Sequence, residues 1–365
     1  MLSMFPIGLP WPTVMYLVLY IVTLIIHVVF MNYVLAGSWY LVSISLFERR
    51  TADQLPSLVA GTLREWLPFM LSAAITAGIA PLLFVQILYK RNFYTANLLL
   101  FHRWMAILPV LIVAFYLLYI WKAKRVQAWP RLITFPLGLL TFSGFAFIAW
   151  SWTENHLLSI NPGAWAEHYA DGDMMYRSRE VLPRLAVWFA GSFPTLALVL
   201  GWQLWYLQRD VPDEETVGRH RMSLLALSGL ITAAIAVALY GVALPPEVRE
   251  AVTGIMGWPY VFLAGCGWGV QFASWLQIRR SPRLEKIWLA TASAGLLMTL
   301  VGVAMIREII RWFRLDGNAL FPLHEQSAGV GGLPLFLVFF VVNAALVAYC
   351  IIRVRRGLAA GASAS

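Results

Sequence analysis

Charge is scarce in this chain. Asp, Glu, Lys and Arg make up 12% of its 365 residues and 60% are hydrophobic, whereas a soluble domain carries about 25% charged residues. That excludes a water-soluble globular enzyme of ordinary composition. Cysteine is scarcer still. Cys266 and Cys350 are the only two, and both lie in apolar segments, which excludes a disulfide framework and a CxxC redox motif. No HExxH, CxxCH, P-loop or GxGxxG pattern is present, so the common metal, haem-attachment and phosphate signatures are missing. No inverted repeat of the transporter kind is visible. The opening "MLSMFPIGLPWP" lacks a basic n-region and a small-residue cleavage site, so no removable signal peptide is expected.

Long apolar runs are what the chain has instead. Nine can be drawn, at 13–46, 65–89, 97–121, 132–153, 182–207, 222–243, 258–278, 285–312 and 333–352. At about 20 residues per crossing each is long enough to span a bilayer as a helix. The expectation is an all-α polytopic bundle of nine transmembrane helices. It would form one domain over 1–357, with a disordered tail over 358–365.

The net charge of +9 is distributed as topology determinants rather than as a nucleic-acid patch. The runs "ERR", "KAKR", "RHR", "RRSPR" and "RVRR" follow alternate segments, which places them in the cytoplasm, the N-terminus outside and the C-terminus inside. A bacterial inner membrane is the expected location. The larger connections, 161–180 and 315–332, fall on the outer side, and their Gly, Pro and Asp predict irregular structure. "GVGG" at 329–332 lacks the Lys and Ser of a phosphate loop and is expected to be a hinge.

Ionisable groups inside membrane segments are costly and mark function. His27 lies mid-segment in "LYIVTLIIHVVFMNYVLAGSWYLVSISLFERR". His102 and Arg103 lie near the outer end of the third segment. Glu154 and His156 end the fourth, Arg184 opens the fifth, and Arg307 and Glu308 lie near the outer end of the eighth. All but His27 gather in the outer third, which predicts a site opening on that face. An intramembrane histidine can ligate a metal, relay a proton or bond a neighbouring helix. The arginines can snorkel to headgroups or neutralise a buried anion. His156, His168 and His324 fall at or beyond the boundary, where solvated or loop positions are expected.

"HVVFMNYVLAGSWYLVSISLFERR" resembles the first helix of subunit I of the cytochrome bd quinol oxidases, and His27 falls on the histidine that ligates haem iron there. "TAGIAPLLFVQILYKRNF", "FIAWSWTENHLLS" and "GWPYVFLAGCGWG" are similar to the second, fourth and seventh helices, so the resemblance covers most of the chain. It also has departures. Ala186 and Leu263 stand where the family has haem-ligating histidine and methionine, and a short "LPPEVREAVTGIM" replaces the long quinol loop. "REIIRWFRLDG" replaces the Gly-Arg-Gln-Pro-Trp signature, and His102 occupies a glutamate position.

The resemblance implies a haem b held by His27 and His102, a ligation that leaves no open position for oxygen. Arg103, Arg184 and Arg307 would compensate haem propionates, and Glu308 would relay a proton. Such a subunit would pass electrons between membrane quinol and a periplasmic redox partner such as a c-type cytochrome, in a complex with other membrane subunits. A quinone could sit near Gln86, Tyr89 and Tyr94. The alternatives are a haem-free anchor descended from the oxidase, a divergent oxygen reductase, and a transporter whose helices break at Pro81, Pro109, Pro136 and Pro194.

Overall fold

A backbone in hydrocarbon must satisfy its own hydrogen bonds, and all nine apolar segments do so as helices. The computed structural model describes residues 5–6, 8–47, 58–207, 212–329 and 332–362. The helices are α1 (Trp11–Phe47), α2 (Leu58–Leu88), α3 (Lys90–Leu99), α4 (Phe101–Lys122), α5 (Lys124–Gln127), α6 (Arg131–Ser159), α7 (Trp165–Asp171), α8 (Val181–Leu207), α9 (Pro212–Ala243), α10 (Pro246–Thr253), α11 (Trp258–Arg280), α12 (Lys286–Arg314), α13 (Phe321–Gly329) and α14 (Gly332–Ala362). No strand occurs among the described residues. Seven helices (α1, α2, α4, α6, α8, α9 and α12) are long and apolar enough to cross a membrane by themselves. Helix α11 falls outside that set. The segments 317–329 and 334–350, bent by 72° against each other, make an eighth candidate if the pair is taken as one span.

The bundle interior mixes leucine-rich packing with hydrogen bonds between helices. Asn32 on α1 donates to Thr195 Oγ1 on α8 at 3.2 Å and accepts from Trp188 Nε1 at 3.1 Å, while Tyr33 donates to Gln203 at 3.0 Å. Trp275 on α11 is fully buried among the leucines of α8, α9 and α12. Such polar pairs matter because lipid is as apolar as leucine and gives helices little hydrophobic reason to associate. Prolines 68, 81, 109, 136 and 194 lie inside continuous helices.

The connections expected to be irregular contain ordered elements. The 161–180 segment includes a 3₁₀ turn, Pro162–Ala164, and α7, and the 315–332 segment includes a 3₁₀ turn, Gly317–Leu320, and α13. Residue 329 of the expected hinge ends α13 and Gly332 begins α14; residues 330 and 331 lie outside the described residues. Helix α14 runs through Ala362, five residues into the tail expected to be disordered; residues 363–365 lie outside the described residues.

Burial corrects the expectation for three histidines. His156 is 5%, His168 8% and His324 0% exposed. His324 clamps α13 onto the bundle. Leu88 O can only accept, so His324 Nε2–H donates to it at 2.9 Å, and Nδ1 meets Thr13 Oγ1 on α1 at 2.8 Å. His324→Ala strands both partners in a dry site and is expected to destabilise the protein by about 2 kcal/mol. Thermal unfolding in detergent checks this, and a variant as stable as wild type would show the clamp to be incidental.

Candidate functional site

One end of the bundle holds nearly all of its buried charge. It is built from the N-terminal ends of α1, α4 and α8 and the C-terminal ends of α2, α6 and α12. Its centre is Glu308 on α12, with no exposed surface. Arg311 lies one helical turn on, where i,i+3 spacing places it over Glu308. Its Nη1 donates to both carboxylate oxygens, at 2.9 and 3.0 Å, and Tyr89 Oη donates to Oε2 at 2.6 Å. Arg311 also lies against the rings of Tyr89 (4.2 Å to the centroid) and Tyr20 (5.9 Å). Tyr89 sits just past the apolar stretch of α2. The Glu308 carboxylate can only accept, so the Tyr89 hydroxyl is the donor.

The remaining valence of Arg311 fixes a histidine. Its Nη2 lies 2.7 Å from His156 Nδ1. A guanidinium has no acceptor, so Nδ1 accepts and the ring proton is on Nε2. That Nε2–H is buried and has no partner among the described residues. His156 lines a small cavity of ≈ 10 Å³ with Arg307, Asn155, Ser159 and Trp152.

Around this centre lie further arginines. Arg314 pairs with Glu180 at 2.7 Å and Arg103 with Glu154 at 3.0 Å, the latter also receiving Trp150 Nε1–H. Arg184 reaches Tyr240 Oη at 3.5 Å. Among the described residues, Arg184 and Arg307 have no carboxylate partner. Next to Glu154 a wider cleft of ≈ 340 Å³ opens to the surface, walled by Trp150, Tyr176, Leu182 and the exposed Arg177 and Arg179.

The arginines and Glu308 expected to cluster therefore do so: Arg103, Arg184, Arg307 and Glu308 all belong to this end. Arg103 is the exception in role, since Glu154 neutralises it. Arg311, His156, Tyr89 and Tyr20 complete the cluster. Arg311 could have been found from its spacing to Glu308; His156 was expected at this end, but as a solvated boundary residue, because nothing in "TENHLLS" signals its burial.

The two histidines expected to share an iron are not together. His27 lies seven residues beyond Tyr20 on α1, about 10 Å deeper along the helix. His102 is exposed at the start of α4, its ring against Phe101. Arg103, the next residue, is paired to Glu154 at the polar end. His27 Nδ1 lies 2.9 Å from Ala74 O on α2. A carbonyl can only accept, so Nδ1 carries the proton, and Nε2 is left as a bare lone pair with no hydrogen bond among the described residues. Gly78 makes room for the ring: a Cβ there would lie 2.9 Å from His27 Cε1.

No family model, curated protein or solved structure matches the chain. Two features of its own residues carry chemistry: a lone-pair imidazole at mid-depth, and a cationic buried network at one end.

Proposed function

We propose that this chain is a haem-binding electron-transfer subunit of a respiratory complex in a bacterial inner membrane, resembling subunit I of the cytochrome bd oxidases. It would cross nine times with its N-terminus periplasmic, so that the buried arginine end faces the periplasm. Electrons would pass between membrane quinol and a periplasmic redox protein such as a c-type cytochrome.

The observation that carries this reading is the tautomer of His27. Ligation needs an unprotonated ring nitrogen, and metal-bound histidines donate their other N–H to a carbonyl or carboxylate. The hydrogen bond from His27 Nδ1 to Ala74 O meets that requirement and fixes the ring's orientation. His27 thus fits as one axial ligand of a haem. His102, exposed at the start of α4, does not fit as the second, and no role on the iron is assigned to it. A bound haem b would supply a one-electron iron centre. Arg184 and Arg307, which lack carboxylate partners, are suited to compensating an anionic group, whereas Arg103 is already neutralised by Glu154.

The second reading is a haem-free anchor, and the same observation supports it, because an imidazole bonded to a neighbouring backbone carbonyl also serves helix packing. The dithionite-reduced visible spectrum of the purified chain separates them. A low-spin b-type band is expected, lost in His27→Ala and retained in His102→Ala. A chain without haem absorbance would leave the anchor. Loss of the band in both variants would restore the bis-histidine site.

A further inference from the structure

The polar end holds more positive charge than its carboxylates neutralise. Around His156 stand Arg184, Arg307, Arg311 and Arg314, while the carboxylates of this group are Glu308 on Arg311 and Glu180 on Arg314. Arg103 and Glu154 cancel each other. Two guanidiniums, those of the half-buried Arg184 and Arg307, are therefore left over. Both residues keep some exposed surface, but Arg307 Nε is buried without an acceptor among the described residues.

The second observation is directional. His156 is nineteen-twentieths buried, and Arg311 occupies its Nδ1, which forces the proton onto Nε2. His156 Nε2–H and Arg307 Nε–H are thus two buried donors, unpaired among the described residues, on two residues that line one cavity. The other polar groups there are already committed in part: Asn155 donates to Asn97 at 2.7 Å, Ser159 to the His156 carbonyl at 2.7 Å, and Tyr89 to Glu308. The cavity is ≈ 10 Å³, about the room that one water needs. Arg307 on its wall is half-buried and has no carboxylate partner among the described residues.

We propose that this cavity is a binding site for a halide-sized monoanion, held by His156 Nε2–H and the Arg307 guanidinium. Chloride is the species of that size and charge that solution supplies. A water would satisfy the two donors but leave the excess charge, and a larger oxyanion would exceed the cavity. The site's function would be to neutralise the arginine cluster while leaving the Glu308–Arg311–Tyr89 network intact. The anion site takes Arg307 in place of the compensating role suggested for it above and leaves Arg184 to that role; haem ligation by His27 is unaffected by it.

The test is thermal unfolding of the full chain in detergent, with sodium chloride or bromide exchanged against sodium gluconate at constant ionic strength. A saturating rise of about 3 °C is expected, the size of a site filled well above its Kd. Arg307→Gln and His156→Phe should each abolish the halide dependence. Crystals grown in bromide should show an anomalous peak beside His156 Nε2, and this measurement decides the matter if either variant fails to fold. Identical melting in halide and gluconate, a halide effect retained in both variants, or a bromide-grown crystal with only water in the cavity would overturn the proposal.

Discussion

Arg311→Met should be among the most destabilising single substitutions in this protein, lowering stability by about 3–5 kcal/mol. Glu308 is fully buried, and Arg311 supplies two of the three hydrogen bonds on its carboxylate. Without the guanidinium, the carboxylate keeps the Tyr89 hydroxyl alone. It must then either stay charged in a dry site or take up a proton. His156 loses its only Nδ1 partner in the same step. The size of the effect measures the abandoned charge rather than the worth of the pair, which gives a sharper corollary. Glu308→Gln combined with Arg311→Met removes both charges, keeps an acceptor for Tyr89, and should recover a large part of the loss. Melting of wild type, both single variants and the double variant in one detergent checks this as a double-mutant cycle. A double variant no more stable than Arg311→Met alone would sink the account.

Gly267→Leu is expected to cost about 3 kcal/mol through steric separation of α11 and α12. These helices cross with glycine facing glycine. A Cβ on Gly267 would lie 2.5 Å from Gly295 O and 2.6 Å from Thr299 N, both backbone atoms that cannot turn aside. Parting the helices would also break the bond from Gln271 Nε2 to Thr299 Oγ1, now 3.0 Å. Small residues at such crossings let backbones approach where the hydrophobic effect gives no net drive. Gly265, two residues earlier on the same helix, is open: a Cβ there would meet nothing within 4 Å. Gly265→Leu should therefore be near neutral and serves as the control for helix propensity. Equal melting temperatures for the two variants would show that the crossing does not depend on contact at Gly267.

The helices were legible in the sequence because their cause is local. An apolar run in hydrocarbon must close its own backbone hydrogen bonds, so the apolar runs are helical without reference to tertiary structure, and seven of the helices are long and apolar enough to cross a membrane by themselves. The clustering of Arg103, Arg184, Arg307 and Glu308 at one end was legible for a related reason. Alternate segments run in opposite directions, and depth follows from residue number once the spans are drawn. Partnership did not follow. Arg103 was a candidate for a cofactor anion, yet Glu154 from another helix takes it. His102 looked like a match for His27, yet one residue of rotation, about 100° of a helix turn, decides whether a side chain faces the bundle or its surroundings; His102 faces out.

The histidines mark the division most clearly. Composition and periodicity by themselves determined that this chain is a helical membrane bundle with polar groups concentrated at one end. They could not determine that His27 carries its proton on Nδ1 and His156 on Nε2, because that depends on whether the nearest neighbour is the Ala74 carbonyl or the Arg311 guanidinium. Those neighbours are 47 and 155 residues away in the chain. Only the packing of helices brings them within hydrogen-bonding distance, and only there does an imidazole become a lone pair in one place and a hydrogen-bond donor in the other.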